Sequence, residues 1–69
     1  MAKLNRIKEV LVRYDKSQIW LSEQIGKSRV VVNRYCNNET QPSLEVLNRI
    51  ANVLDVDVCD LLVRTKVNR

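Results

Sequence analysis

The chain has 69 residues, enough for one small domain, with a formal net charge of +4. Aliphatic residues dominate, His and Phe are absent, and one Gly and one Pro are too few turn formers for an all-β fold. The charge is uneven: residues 1–42 carry eight Lys/Arg against four Asp/Glu, and residues 43–69 carry four against four, so a polyanion partner suits the first part.

Leu4, Ile7, Leu11 and Tyr14 recur at 3-4-3 spacing, one stripe of an amphipathic helix, which predicts a first helix over residues 5–14. Asp15-Lys16 connects it to a second helix capped by Ser17, whose hydroxyl can accept an orphan backbone N–H. Leu21 and Ile25 lie one turn apart and should face the core. Gly26 stands just past that helix, where the backbone often needs a positive φ. Ser28 caps a third helix running to about Cys36, with Val32 and Tyr35 inward and Val31 at the edge.

Asn37 to Pro42 reads as a polar loop, and one of its two asparagines is expected in the left-handed conformation. Ser43 caps a fourth helix, with Leu44, Leu47, Ile50 or Ala51, and Leu54 as its inner face. Asp55-Val56 forms a link, and Asp57 caps a fifth helix carrying Leu61 and Leu62. The expected domain is 4–62, followed by a basic tail, 63–69. Leu62 to Val67 alternates well enough for an edge strand. Cys36 and Cys59 are expected as free thiols, Cys59 in or near the core, and without His they cannot complete a metal site.

The window Gln18 to Asn37 is the informative one. Two short capped helices meet at Gly26, Ser22 is small where the helices approach, and Val32 and Tyr35 anchor the second of them. That is the helix-turn-helix layout, whose second helix can lie in the DNA major groove. No Gly-rich phosphate loop, Ser-His-Asp set or Cys-His set accompanies it, so no enzyme is expected. Asp55, Asp57 and Asp60 are explained by capping and the helix dipole.

With its flanks, the window resembles the phage repressor and Cro type of regulator, the XRE-like helix-turn-helix family, over roughly residues 4–62. The most specific matches are Ser17-Gln18, Leu21, Gly26, Ser28-Arg29, Val32, Gln41-Pro42-Ser43-Leu44-Glu45, and the run Ile50-Ala51 to Leu54-Asp55-Val56. Ser22 departs from the usual Ala, Asn37-Asn38 from a common Asn-Gly, and Trp20 from a usually polar position. Trp20 is expected as satellite core over the junction of helices 2 and 4, with contact to a phosphate or partner protein as the other option.

The resemblance implies an all-α, five-helix, lambda-repressor-like domain that binds double-stranded DNA through helix 3. Helical spacing then puts Arg29, Val30, Asn33 and Arg34 on the base-reading face. Arg offers a fork to guanine, Asn can bridge adenine, and Val can touch a thymine methyl. Gln18, Lys27, Ser28, Asn37 and Gln41 are the expected phosphate contacts, from helix starts and loops. The resulting expectation is a cytoplasmic, sequence-specific transcriptional regulator, with repression as its mode and with no membrane association, cofactor or small-molecule ligand. One short recognition helix reads few base pairs, so a homodimer through residues 57–67 is expected, with Val58, Val63 and Val67 as apolar contacts. Alternatives are an antitoxin that represses its own operon and binds a toxin, and a protein-interaction module that reuses the fold.

Overall fold

A computed structural model describes residues 3–64. Four α-helices, α1 (Ile7–Arg13), α2 (Gln18–Ile25), α3 (Arg29–Cys36) and α4 (Leu44–Leu54), are followed by a short 3-10 helix, Val58–Leu61. The all-α expectation holds. The fifth helix is corrected to this single 3-10 turn: Asp57 and Asp60 close a capping box around it, and the chain leaves at Leu62 in extended conformation.

The serine caps form as their positions dictate. Ser17, Ser28 and Ser43 accept from the backbone N–H of Trp20, Val31 and Val46 at 2.9, 3.2 and 3.2 Å. Gly26 ends α2 at φ 69, and its N–H returns to the Ser22 carbonyl. Among the described residues, no heavy atom beyond its two chain neighbours lies within 4 Å of where a Cβ on Gly26 would sit, so the glycine answers a torsional demand and not a steric one. Asp15, Asn38 and Asp55 take the same left-handed region at φ 57, 59 and 57.

The core joins Ile7, Val10 and Leu11 of α1 to Leu21 and Ile25 of α2, and to Val32, Tyr35 and Cys36 of α3. Val46, Leu47, Ile50, Ala51 and Leu54 of α4 complete it with Leu61. Several apolar expectations need correction. Leu4 and Tyr14 are 48% and 46% exposed, because α1 proper starts at Ile7 and ends at Arg13. Leu44 is 82% exposed. It sits roughly a quarter turn off the stripe of α4 at 3.6 residues per turn, in a first turn that overhangs the core, and Val46 takes the inward place. Cys59 is exposed and Cys36 is the buried thiol; both are free. Trp20 is partly buried on the rim of the core, with the Lys16 ammonium 4.9 Å from its ring centroid.

Helix 1 starts late because Asn5 is otherwise engaged. Its side-chain Oδ1 accepts from the Ile7 N–H at 3.1 Å, and its backbone forms an isolated antiparallel bridge with Leu62. The Arg6 N–H donates to the Leu61 carbonyl at 2.8 Å and the Val63 N–H to the Leu4 carbonyl at 2.9 Å. The expected edge strand of the tail is thus a single bridge to the chain's own N-terminal segment; residues 65–67 of that strand, and 65–69 of the basic tail, lie outside the described residues. Among the described residues, no helix is long and apolar enough to cross a membrane.

Candidate nucleic-acid interface

The candidate site is built on α3 and on its junctions with α2 and the following loop. Burying Val32, Tyr35 and Cys36 turns the opposite side of α3 outward. Arg29, Val30, Asn33 and Arg34 are all exposed there, Val30 at 62%. An apolar side chain so exposed on a short helix contributes nothing to the core. The ion pair found among the described residues joins Lys3 to Glu9, so Lys27, Arg29 and Arg34 have no internal carboxylate partner among those residues. Their positive charge is left for the solvent or for an anion. Glu9, away from this face, has its carboxyl held below the ordinary 4.5 by the Lys3 hydrogen bond.

Two chains of amide side chains shape the surroundings. In the first, Asn37 Nδ2 donates to Asn33 Oδ1 at 3.1 Å, and Asn33 Nδ2 donates to Gln18 Oε1 at 3.2 Å. This chain links the loop after α3, the middle of α3 and the first residue of α2. It brings together three of the nine residues expected from the sequence to contact DNA.

The second chain centres on the buried Asn5 and Asn38 and reaches the exposed Gln41. Asn38 Oδ1 accepts from the Leu4 and Asn5 backbone N–H groups at 2.8 and 2.9 Å and from Gln41 Nε2 at 3.2 Å. Asn38 Nδ2 donates to the Asn5 carbonyl at 3.2 Å. Asn5 Nδ2 in turn donates to the Tyr35 carbonyl at 2.9 Å and to Gln41 Oε1 at 2.7 Å. Gln41, itself exposed, therefore uses both ends of its amide in bonds to Asn5 and Asn38, whereas among the described residues Gln18 uses only its carbonyl. Ser28 accepts the cap bond and keeps its hydroxyl proton; Lys27 and Ser28 are both exposed beside the start of α3.

Two residues outside the expected set hold this geometry. Asn5, only 1% exposed, anchors the loop after α3. Arg49 of α4 donates from Nη1 to the Ile25 carbonyl at 3.1 Å, satisfying the C-terminus of α2 next to the Gly26 turn. The local sequence carries no mark of either, since both bonds reach across more than 20 positions. Ser22, buried where an Ala would also fit, satisfies its hydroxyl on the Ile19 carbonyl at 2.7 Å.

The helix-turn-helix family profile matches residues 7–61, most of the chain. No curated protein matches. A solved structure of a candidate DNA-binding protein from Bacteroides fragilis is 46% identical, with a TM-score of 0.84, over 86% of this chain and 95% of that one. The N-terminal DNA-binding domain of SinR from Bacillus subtilis is 29% identical, with a TM-score of 0.68, over 78% of this chain and 80% of that domain.

Proposed function

This chain belongs to the XRE-type helix-turn-helix family and has its lambda-repressor-like fold, and on that premise we propose that it is a sequence-specific double-stranded DNA-binding regulator acting as a repressor. One observation carries the reading: α3 buries Val32 and Tyr35 and presents Arg29, Val30 and Arg34 to solvent without internal ion-pair partners among the described residues. A major groove about 12 Å wide admits such a helix, and these side chains match guanine edges and thymine methyls. Lys27, Ser28, Gln18 and Asn37 flank the helix and supply donors for phosphates, which orient the helix without reading sequence. The DNA-binding names of the two structural relatives point the same way.

In this reading, residues 4–62 form the DNA-binding domain, and two copies pair through residues 57–67 across a palindromic site. Leu62 is 38% exposed, and Val58 and Val63 are half-buried, which leaves apolar surface beside the 3-10 turn. The pairing relies on side chains there, because the Val63 N–H is already used by Leu4.

Selection of bound duplexes from a random pool tests the proposal. A recovered motif with two-fold symmetry and a steep fall in affinity with salt is the expected result. A shallow salt slope and no enriched motif would refute it and favour a protein-interaction module.

A further inference from the structure

The geometry points to Asn33 as a positioning residue, which aims the Gln18 amide at a backbone phosphate instead of reading a base. The assignment rests on the DNA-binding reading above and changes the division of labour within it.

The hydrogen bonds of the first amide chain run in one direction, from Asn37 through Asn33 to Gln18. A side-chain amide has a donor end and an acceptor end. Asn33 engages the acceptor end of Gln18, so among the described residues the two N–H groups of Gln18 Nε2 are left for an outside partner. A phosphate oxygen accepts only. The same glutamine turned over would offer its carbonyl to the phosphate, and two acceptors repel. Asn33 therefore settles which end of Gln18 the DNA meets.

The same bonds work against base reading by Asn33. Bridging an adenine takes one amide N–H and the carbonyl oxygen together. In this chain the carbonyl already accepts from Asn37 and one N–H is already given to Gln18, so the remaining lone pair and N–H could meet an adenine only in the amide orientation that these two bonds fix. Arg29 and Arg34 carry no such internal bonds to other side chains among the described residues, and they remain the readers. The Asn33–Gln18 bond also spans α2 and α3, so the aim of the phosphate contact is tied to the placement of the reading helix.

The test uses the full chain, the duplex it selects from a random pool, and the variants Gln18→Ala, Asn33→Ala and the double. Thermal melts confirm that each is folded. Each single change is expected to weaken binding about three- to tenfold, the effect of one hydrogen bond. The double variant should bind within about twofold of Gln18→Ala, because Asn33 acts through Gln18. Repeating the selection with Asn33→Ala should return the parent's base preference at every position. In the free protein, Gln18→Ala should shift the Asn33 side-chain amide resonance, a readout that needs no DNA.

Relaxed preference at one base pair for Asn33→Ala, with none for Gln18→Ala, would overturn the assignment and make Asn33 a reader. Independent, multiplying losses would overturn it too, as would an Asn33 amide resonance indifferent to Gln18→Ala. A parent chain that selects no duplex overturns the DNA-binding reading itself, and the assignment with it, whatever the resonance does.

Discussion

Asn38 occupies a left-handed position, φ 59, where glycine is the favoured residue, so Asn38→Gly tests whether backbone torsion or side-chain bonding governs the loop after α3. Torsion alone predicts stabilisation. A non-glycine residue in this region costs up to about 1–2 kcal/mol, and Asn less than most, while the greater freedom of glycine in the unfolded chain takes back roughly 0.4–1. The side chain predicts the opposite. Removing it strips the Asn5 N–H of its acceptor and the Asn5 carbonyl of a donor, and Asn5 is 1% exposed. Each buried polar group left unsatisfied costs about 1–3 kcal/mol. Leu4 is 48% exposed, so its N–H can turn to water and is left out of the comparison. The two groups together lose about 2–6 kcal/mol, more than the torsional gain, and Asn38→Gly should destabilise by about 1–5 kcal/mol. Asp55→Gly is the control: φ is 57 there and no side-chain bond is made among the described residues, so it should be neutral or slightly stabilising. Urea titrations of the three proteins measure both differences. An Asn38→Gly chain as stable as the parent would refute the clamp.

At Gly26, φ 69 with open space around the Cβ position gives a graded series: Gly26→Asn should cost a few tenths of a kcal/mol, Gly26→Ala about 1 and Gly26→Val about 1–3, read as melting midpoints. A loss beyond about 4 kcal/mol for valine would mean a steric neighbour that the structure does not contain. Arg29→Ala should weaken binding to the selected duplex by about 1–3 kcal/mol and relax preference at one base pair, measured by gel shift on single-substitution sites; unaltered preference removes Arg29 from the reading face. Burial pushes the Cys36 thiol from its ordinary 9.0 up to about 11. The unfolded chain then ionises first: the contribution of Cys36 to stability is flat below pH 9 and falls as pH rises towards about 11, by up to ~3 kcal/mol. Cys36→Ala should remove this slope, and a thiol reagent at neutral pH should label Cys59 and spare Cys36 until the protein unfolds.

The fold class was legible because its determinants are local. Ser17, Ser28, Ser43 and Asp57 cap within three residues of themselves, and the apolar spacing of Leu21, Ile25, Val32, Tyr35, Leu47 and Leu54 follows helical periodicity. The misreadings occur at the ends of elements, where periodicity stops informing. Leu4, Tyr14 and Leu44 continue apolar stripes into turns that have no core beneath them. Leu62 continues a helical pattern that the Asp57–Asp60 box closes after a single 3-10 turn. Cys59, taken for a core thiol, rides on the outside of that turn, while Cys36 completes the inner face of α3.

The candidate site was legible in its residues but not in their bonds. Helical spacing alone places Arg29, Val30, Asn33 and Arg34 on one face, and it treats them as equals. They are separated by which hydrogen-bonding groups are already engaged, and for Asn33 that depends on Gln18, 15 positions away in the preceding helix, and on Asn37. Gln18 and Gln41 are the same residue type and both flank a helix start. Yet Gln18 gives up only its carbonyl to Asn33, while Gln41 is held at both ends by Asn5 and Asn38. The first keeps both N–H groups for an outside acceptor, and the second keeps one while also bracing the loop. Free donor ends, more than position on the face, distinguish side chains that can turn to DNA from side chains that hold the face in place.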